Sequence, residues 1–316
     1  MPTLSDLENI VDKDLQKLLA SYEKDVEKVL KETLDKMRAE MSRIYEKWAK
    51  GGVLTKVEMT NYNKYQTMEK HIIDLLDPAI KASLKSIKAL PPEAYKAAFF
   101  EYAWAMDEGA GVALDWGLAD EEAIRKLYDM SNPKNLEWIE ALKTLPITAK
   151  KMVRAALLKG LAEGKGYMAM IADLKNALEK YAWQVLRILR TEGQRMFSKA
   201  QYDRYQEARD LGIEGEDMWN ATLDGRTRES HGHADGKKRE KDGYFYINGH
   251  KALYPLDPNL PPEEQINCRC RLTFEIEGYA PQVRRSREQG ILPYQTYNQW
   301  VAEYHPDWMK KWKGKK

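Results

Sequence analysis

From Leu4 to Trp48 apolar side chains recur at steps of mostly three and four: Leu4, Leu7, Val11, Leu15, Leu18, Tyr22, Val26, Val29, Met37, Met41, Ile44 and Trp48. That period marks one face of an α-helix. A stripe of this length must be covered. It therefore dictates either a helix bundle within the chain or a coiled-coil-like arm that grips another protein. Ser5 and Glu8 have capping-box spacing and Gly51-Gly52 is a stop signal. One long helix, or two with a bend, is expected over about residues 4–50.

Helical character continues. Thr55 and Glu58 offer a second capping box, followed by a helix to about Leu90 that is bent or broken near Pro78. The segment LPPEAY at 90–95 reads as punctuation, with a short aromatic helix after it. GAG at 109–111 and SNP at 131–133 break the next stretch. From Thr148 to Gly212 the pattern is helical again, divided by Gly160, Gly164 and Gly166, and Gly212 is a natural end for a last helix over about 173–211.

The character then changes. WNATL at 219–223 reads as a strand entering a turn at Asp224-Gly225, and YFYINGHKAL at 244–253 is a hairpin signal around Asn-Gly. PLDPNLPPEEQ at 255–265 is loop, and CRLTFEIE at 270–277 alternates as a half-buried strand does. The fold class is α+β. The expected organisation is a helical N-terminal region (1–147), a motif-bearing domain of helices then a small antiparallel β unit (148–279), and a basic, aromatic tail (280–316).

Composition excludes several classes. Charged residues make up 32% of the 316, but the net charge is only +2, so no global field draws the chain to nucleic acid or membrane. No run approaches the ~18 apolar residues of a membrane span. The acidic start, MPTLSDLENIVDKD, lacks the order of a signal peptide, and a soluble protein in a reducing cytoplasm is expected. The two cysteines, Cys268 and Cys270, stand one residue apart, where a disulfide would be strained and constrain little.

The cysteines close an ordered series. It runs through Arg190-Thr191-Glu192 on a helix, a strand, Asp224-x-Arg226-Thr227-Arg228-x-x-His231, Asp235-Gly236, a Pro-rich loop, and Asn267-Cys268-Arg269-Cys270. This order over roughly 150–278 resembles the phage Mu F-like minor head protein family, the head-morphogenesis proteins of tailed double-stranded DNA phages. The resemblance implies a structural part in head assembly, DNA packaging or ejection, in the phage head and, during assembly, the host cytoplasm. It implies portal protein or major capsid protein as partners, with packaged DNA as a further one, and neither a membrane nor a small-molecule substrate. Some proteins with this domain resemble toxins with an appended effector, but fewer than 40 residues follow the last strand here, too few for an independent enzyme domain.

Thiolates and imidazole at converging positions make a zinc site. The candidate ligands are His231, Asp235, Cys268 and Cys270, with His233 as an alternative, and structural zinc is the candidate cofactor. The other reading makes both cysteines small core residues at a strand start. Arg190, Glu192, Asp224, Arg226, Arg228 and Arg269 are read as an internal ion-pair network, with phosphate contact as the sharper alternative. The basic runs KKREK (237–241), RRSR (284–287) and KKWKGKK (310–316) offer Lys237, Lys238, Arg284, Arg285, Arg287, Lys310, Lys311 and Trp312 to DNA or an acidic partner. A free DNA-binding protein is the runner-up. A metallohydrolase built on His231, His233 and Asp235 is a third reading; the chain has no Walker A, Gly-x-Ser-x-Gly or His-Glu-x-x-His sequence.

Overall fold

A computed structural model describes residues 3–60, 63–119, 121–127, 136–276, 283–286 and 288–304. The stripe becomes one unbroken helix, α1 (Leu4–Trp48). Its cap lies two residues before the expected one. Thr3 N donates to Asp6 Oδ2 at 2.9 Å, and Asp6 N donates to Thr3 Oγ1 at 3.2 Å. Glu8, expected in that cap, is carried instead to the buried face with Leu4, Leu7, Val11, Leu15 and Leu19. Further along, Val26, Leu30, Leu34, Met37, Met41 and Ile44 are buried as well. The apolar face is covered within the chain, so α1 takes the bundle alternative and not the protruding arm.

A short α2 (Lys56–Thr60) leads to α3 (Lys64–Ala110), which runs through Pro78, Pro91 and Pro92 without a break. Each proline costs the helix about 3 kcal/mol. Ile72, Leu76, Ala79, Ile80, Ile87, Leu90, Ala94 and Ala98 are all buried along its length. At ~1.5–3 kcal/mol for each large apolar side chain, that packing outweighs the prolines. The expected breaks at Pro78 and at 90–95 are therefore absent. After α4 (Glu121–Leu127), α5 (Leu136–Ala162) and α6 (Tyr167–Asp210) follow. Only residues 163–166 separate the last two, and Gly160 lies inside α5. Gly212 ends α6 at φ 92°, with Ile213 N donating to Ala208 O at 2.9 Å, the wide closing bond of a Schellman turn.

Two compact units emerge, neither a single stretch of sequence. One comprises Ala20–Leu90 and Asn135–Leu189; the other comprises Met1–Leu19, Pro91–Lys134 and Arg190–Lys316. Helices α1, α3 and α6 contribute residues to both. The first unit is built of helices, with a core that includes Met41, Leu76, Leu157, Leu174 and Val185.

Among the described residues the strands all lie in the second unit. Strand β1 (Gly215–Asn220) pairs antiparallel with β4 (Arg271–Ile276), with Trp219 opposite Leu272 and Asp217 opposite Phe274. The first strand thus precedes the expected 219–223. The ladder ends at Asn220 because Ala221 N donates to the Asp235 carboxylate at 2.6 Å. Between these strands lie α7 (Glu229–Ala234), the hairpin β2 (Phe245–Ile247) and β3 (His250–Ala252), and α8 (Pro262–Gln265). The hairpin turns on Asn248 and Gly249, both with positive φ (49° and 83°), as a type I′ turn requires.

The segment expected as a tail is built into this unit up to Tyr304. Strands β5 (Val283–Ser286) and β6 (Gly290–Pro293) form a hairpin, and α9 (Tyr297–Tyr304) follows. Tyr297, Trp300 and Val301 form a buried cluster with Leu223. Those apolar side chains, spaced for one helical face, outweigh the basic character of the segment.

Candidate functional site

The site grows from the turn after β1. Asp224 Oδ1 accepts from Arg226 N at 2.9 Å, an Asx-type turn that leads the chain into α7. This short helix sets His231 inward and His233 outward. On the other side, Asn267 takes positive φ (57°), and its N–H donates to Thr191 Oγ1 on α6 at 3.1 Å. From there the chain is extended into β4. Successive side chains alternate, so Cys268, Cys270 and Leu272 are buried on one side. Arg269, on the other side, forms a two-pronged pair with Asp224, Nη2–Oδ1 being 2.8 Å. A spacing of one residue is what an extended chain needs to aim both thiols the same way.

Both thiols meet one imidazole. His231 Nδ1 lies 3.2 Å from Cys270 Sγ and 3.5 Å from Cys268 Sγ. His231 Nε2 lies 2.9 Å from Glu264 Oε2 on α8. Nε2 thus faces the carboxylate and Nδ1 faces both sulfurs. Glu264 is itself held by Ser230 Oγ at 2.9 Å and Asn248 Nδ2 at 3.3 Å. The Trp219 ring stands edge-on to the imidazole at 5.7 Å. Burial pushes the Cys270 thiol up, and the hydrogen bond with Cys268 pushes it further. Burial would raise Cys268 too, but hydrogen bonds from Cys270 and His231 outweigh it and hold Cys268 well below the usual thiol range. The pair thus gives up one proton easily and the second with difficulty.

A thiol, an imidazole and a carboxylate in sequence have the order of a nucleophile, base and orienting group. Here they are shut in: Cys270 is 3% exposed, His231 1% and Glu264 4%. No substrate reaches a sulfur in this state. The arrangement suits a buried staple.

Asp235 lies apart from this cluster. Its two oxygens receive Arg284 Nη1 and Nη2, each at 2.6 Å, and also the backbone N–H groups of Ala221 and Tyr297. Asp235 is thereby removed from the expected ligand set. His233 is exposed, so the constellation of His231, His233 and Asp235 expected for a hydrolase does not converge.

Arg284 is likewise withdrawn from the expected DNA contacts. It is buried and also donates to Asn220 Oδ1 at 2.9 Å. Lys238 is held between Glu216 and Glu275, 2.6 Å from each. Lys237 is exposed. Arg285 lies in β5. Arg287, Lys310, Lys311 and Trp312 fall outside the described residues.

The expected arginine network is only partly gathered at one place. Arg226, largely exposed, lies 3.5 Å from Asp224, and Arg228 donates to Ile266 O. Glu192 pairs with Arg195 at 2.5 Å, while Arg190 is exposed on α6. Glu264 and the Asp235–Arg284 pair escaped the sequence reading. Glu264 stands in a Pro-rich segment that reads as loop. Arg284 stands in a run that reads as solvated charge. Its sole signal is the alternation of Arg284 and Ser286 toward the interior of β5.

The stretch that builds the thiol site has known relatives. Residues 151–273 match the family model described as Phage Mu protein F like protein. The chain is 25% identical over 302 residues to the minor head protein GP7 of Bacillus phage SPP1, covering 93% of this chain and 96% of that protein. It is 28% identical over 234 residues to the NAD(+)--arginine ADP-ribosyltransferase EFV of Enterococcus faecalis, covering 73% of this chain. The chain spans only about half (47%) of the length of that second relative. No solved structure matches it significantly. His231, Glu264, Cys268 and Cys270 all lie inside the matched residues, so the stretch that builds this site is similar to the Phage Mu protein F like family.

Proposed function

We propose that the chain is a minor head protein of a tailed double-stranded DNA phage, with a structural role in head morphogenesis. One observation carries this reading: the alignment with the SPP1 minor head protein runs over 93% of this chain and 96% of that one. It therefore includes the helical unit as well as the motif domain. In this reading the protein resides in the head, docks on the portal or the inner capsid surface, and serves assembly, packaging or ejection. No helix among the described residues is long and apolar enough to cross a membrane, which suits such a place.

The experiment is to purify heads of a phage that encodes the chain, with and without a nonsense mutation in its gene, and compare them by quantitative mass spectrometry and infectivity. The expected result is a few copies per head and defective particles without it. Its absence from purified heads, with the protein abundant in the lysate, overturns the reading.

A role on packaged DNA is the second reading, supported by exposed Lys237 and by the basic run at 310–316. Salt separates the two. Binding to duplex DNA should fall steeply as salt rises, whereas docking on a portal through apolar contacts should persist. An ADP-ribosyltransferase activity is disfavoured. The Enterococcus relative so named has about half of its length outside the alignment, and the Cys–His–Glu arrangement in this chain is enclosed.

A further inference from the structure

We propose that Cys268, Cys270 and His231 form a structural metal site for a soft divalent cation of the zinc class, with Glu264 as the positioning carboxylate behind the histidine. Among the described residues these three are the one group of His, Cys, Asp and Glu whose ligand atoms converge, all within 4.8 Å of one another. The spacing fits a cation. Zinc sits ~2.3 Å from sulfur and ~2.0 Å from nitrogen, so a tetrahedral site has nitrogen-to-sulfur edges of about 3.5 Å. The observed separations are 3.2 and 3.5 Å. Two thiolates with one imidazole select a soft metal over magnesium or calcium.

The surroundings match as well. A metal-bound histidine characteristically donates its other ring N–H to a carboxylate, and Glu264 stands 2.9 Å from Nε2. Trp219 is fully buried beside the imidazole, and its indole N–H faces the Cys270 sulfur as a donor for a thiolate. Glu192, Asp235 and Arg269 have partners of their own. No further His, Cys, Asp or Glu among the described residues completes the set, so the fourth position goes to a water or main-chain oxygen. The gain is local. The segment from 253 to 270 has no strand and a single four-residue helix. A metal would tie its end to α7 through folding energy.

The test uses the whole chain, reduced and produced in zinc-containing medium, with metal content measured by elemental mass spectrometry. About one zinc per chain is expected, with none in Cys268→Ser/Cys270→Ser. Cobalt(II) added to the metal-free wild type should give the intense ligand-field and sulfur-to-metal charge-transfer bands of tetrahedral thiolate coordination. Glu264→Gln keeps all three ligands. It should lower affinity about ten- to a hundredfold in chelator competition. Three results overturn the proposal: wild type that takes up neither zinc nor cobalt, a weak octahedral cobalt spectrum, or unchanged zinc stoichiometry in the double serine variant. If the serine variant does not fold, the wild-type cobalt spectrum and Glu264→Gln still decide.

Discussion

Glu8 offers the sharpest test of how the N-terminal turns of α1 are held. Its side chain is fully buried, and Oε1 accepts hydrogen bonds from Tyr205 Oη and, at 3.2 Å, from Phe274 N on β4. Burial pushes its carboxyl from the ordinary 4.5 up to about 7, against the opposing pull of Arg271, Tyr205 and the Phe274 amide; the Asp217 charge adds to the rise. Tyr102, also buried, feels the same carboxylate. The native state therefore prefers Glu8 protonated. Below the unfolded value of 4.5 the group is neutral in both states and costs nothing. As pH climbs through about 7 the native state must ionise it in place, and stability is lost. At about 1.4 kcal/mol per pH unit the full loss is about 3 kcal/mol.

Glu8→Gln removes this titration while keeping the shape. Its amide leaves a buried N–H₂ where Oε2 had no partner, a cost of about 1–3 kcal/mol that does not change with pH. Urea unfolding of the two proteins side by side, at pH values from about 4.5 to about 8.5, cancels the other titrating groups. The variant should start less stable and gain about 3 kcal/mol on the wild type across that range. A difference between the two that stays flat with pH would refute the reasoning, because Glu8 would then be ionised at no cost.

Tyr205→Phe removes one donor to Glu8, so the pH at which wild-type stability falls should move upward in the same urea series, and an unmoved profile would contradict this. Arg284→Ala leaves the buried Asp235 without its cation and should cost about 3–5 kcal/mol in urea unfolding. Arg284→Met/Asp235→Asn should recover a large part of that loss, and a single-variant cost under about 1 kcal/mol would show the pair to be solvated. Gly215→Ala puts a Cβ 2.3 Å from Phe274 Cε1 and 2.8 Å from Glu275 O. The β1–β4 ladder must shift, at about 1–3 kcal/mol, which a lowered melting temperature would report.

What the sequence reveals and what it hides divides along physical lines. The long helices are legible because a 3.6-residue period is a local property, and the Asn248-Gly249 turn is legible because few residue pairs tolerate positive φ twice in succession. Cys268, Cys270 and His231 converge as their residue types suggest. The failures concern charge and partners. Ser5 and Glu8 carry the letters of a cap, but Thr3 and Asp6 make it, since Glu8 lies on the face that α1 must bury. Pro91 and Pro92 signal a break that the buried face of α3 overrides. Asp235 looks like a ligand and Arg284 like solvated charge, yet each removes the other from the surface. Which of several charged residues turns inward depends on a partner 49 positions away, and no local pattern contains that. The Cys-Arg-Cys spacing shows both sides of the matter. Alternation along an extended chain accounts for two thiols facing one imidazole and for Arg269 facing Asp224 on the other side. That the imidazole is His231 and not His233 follows only from where α7 begins, and the Asp224 turn and the end of the β1 ladder set that point.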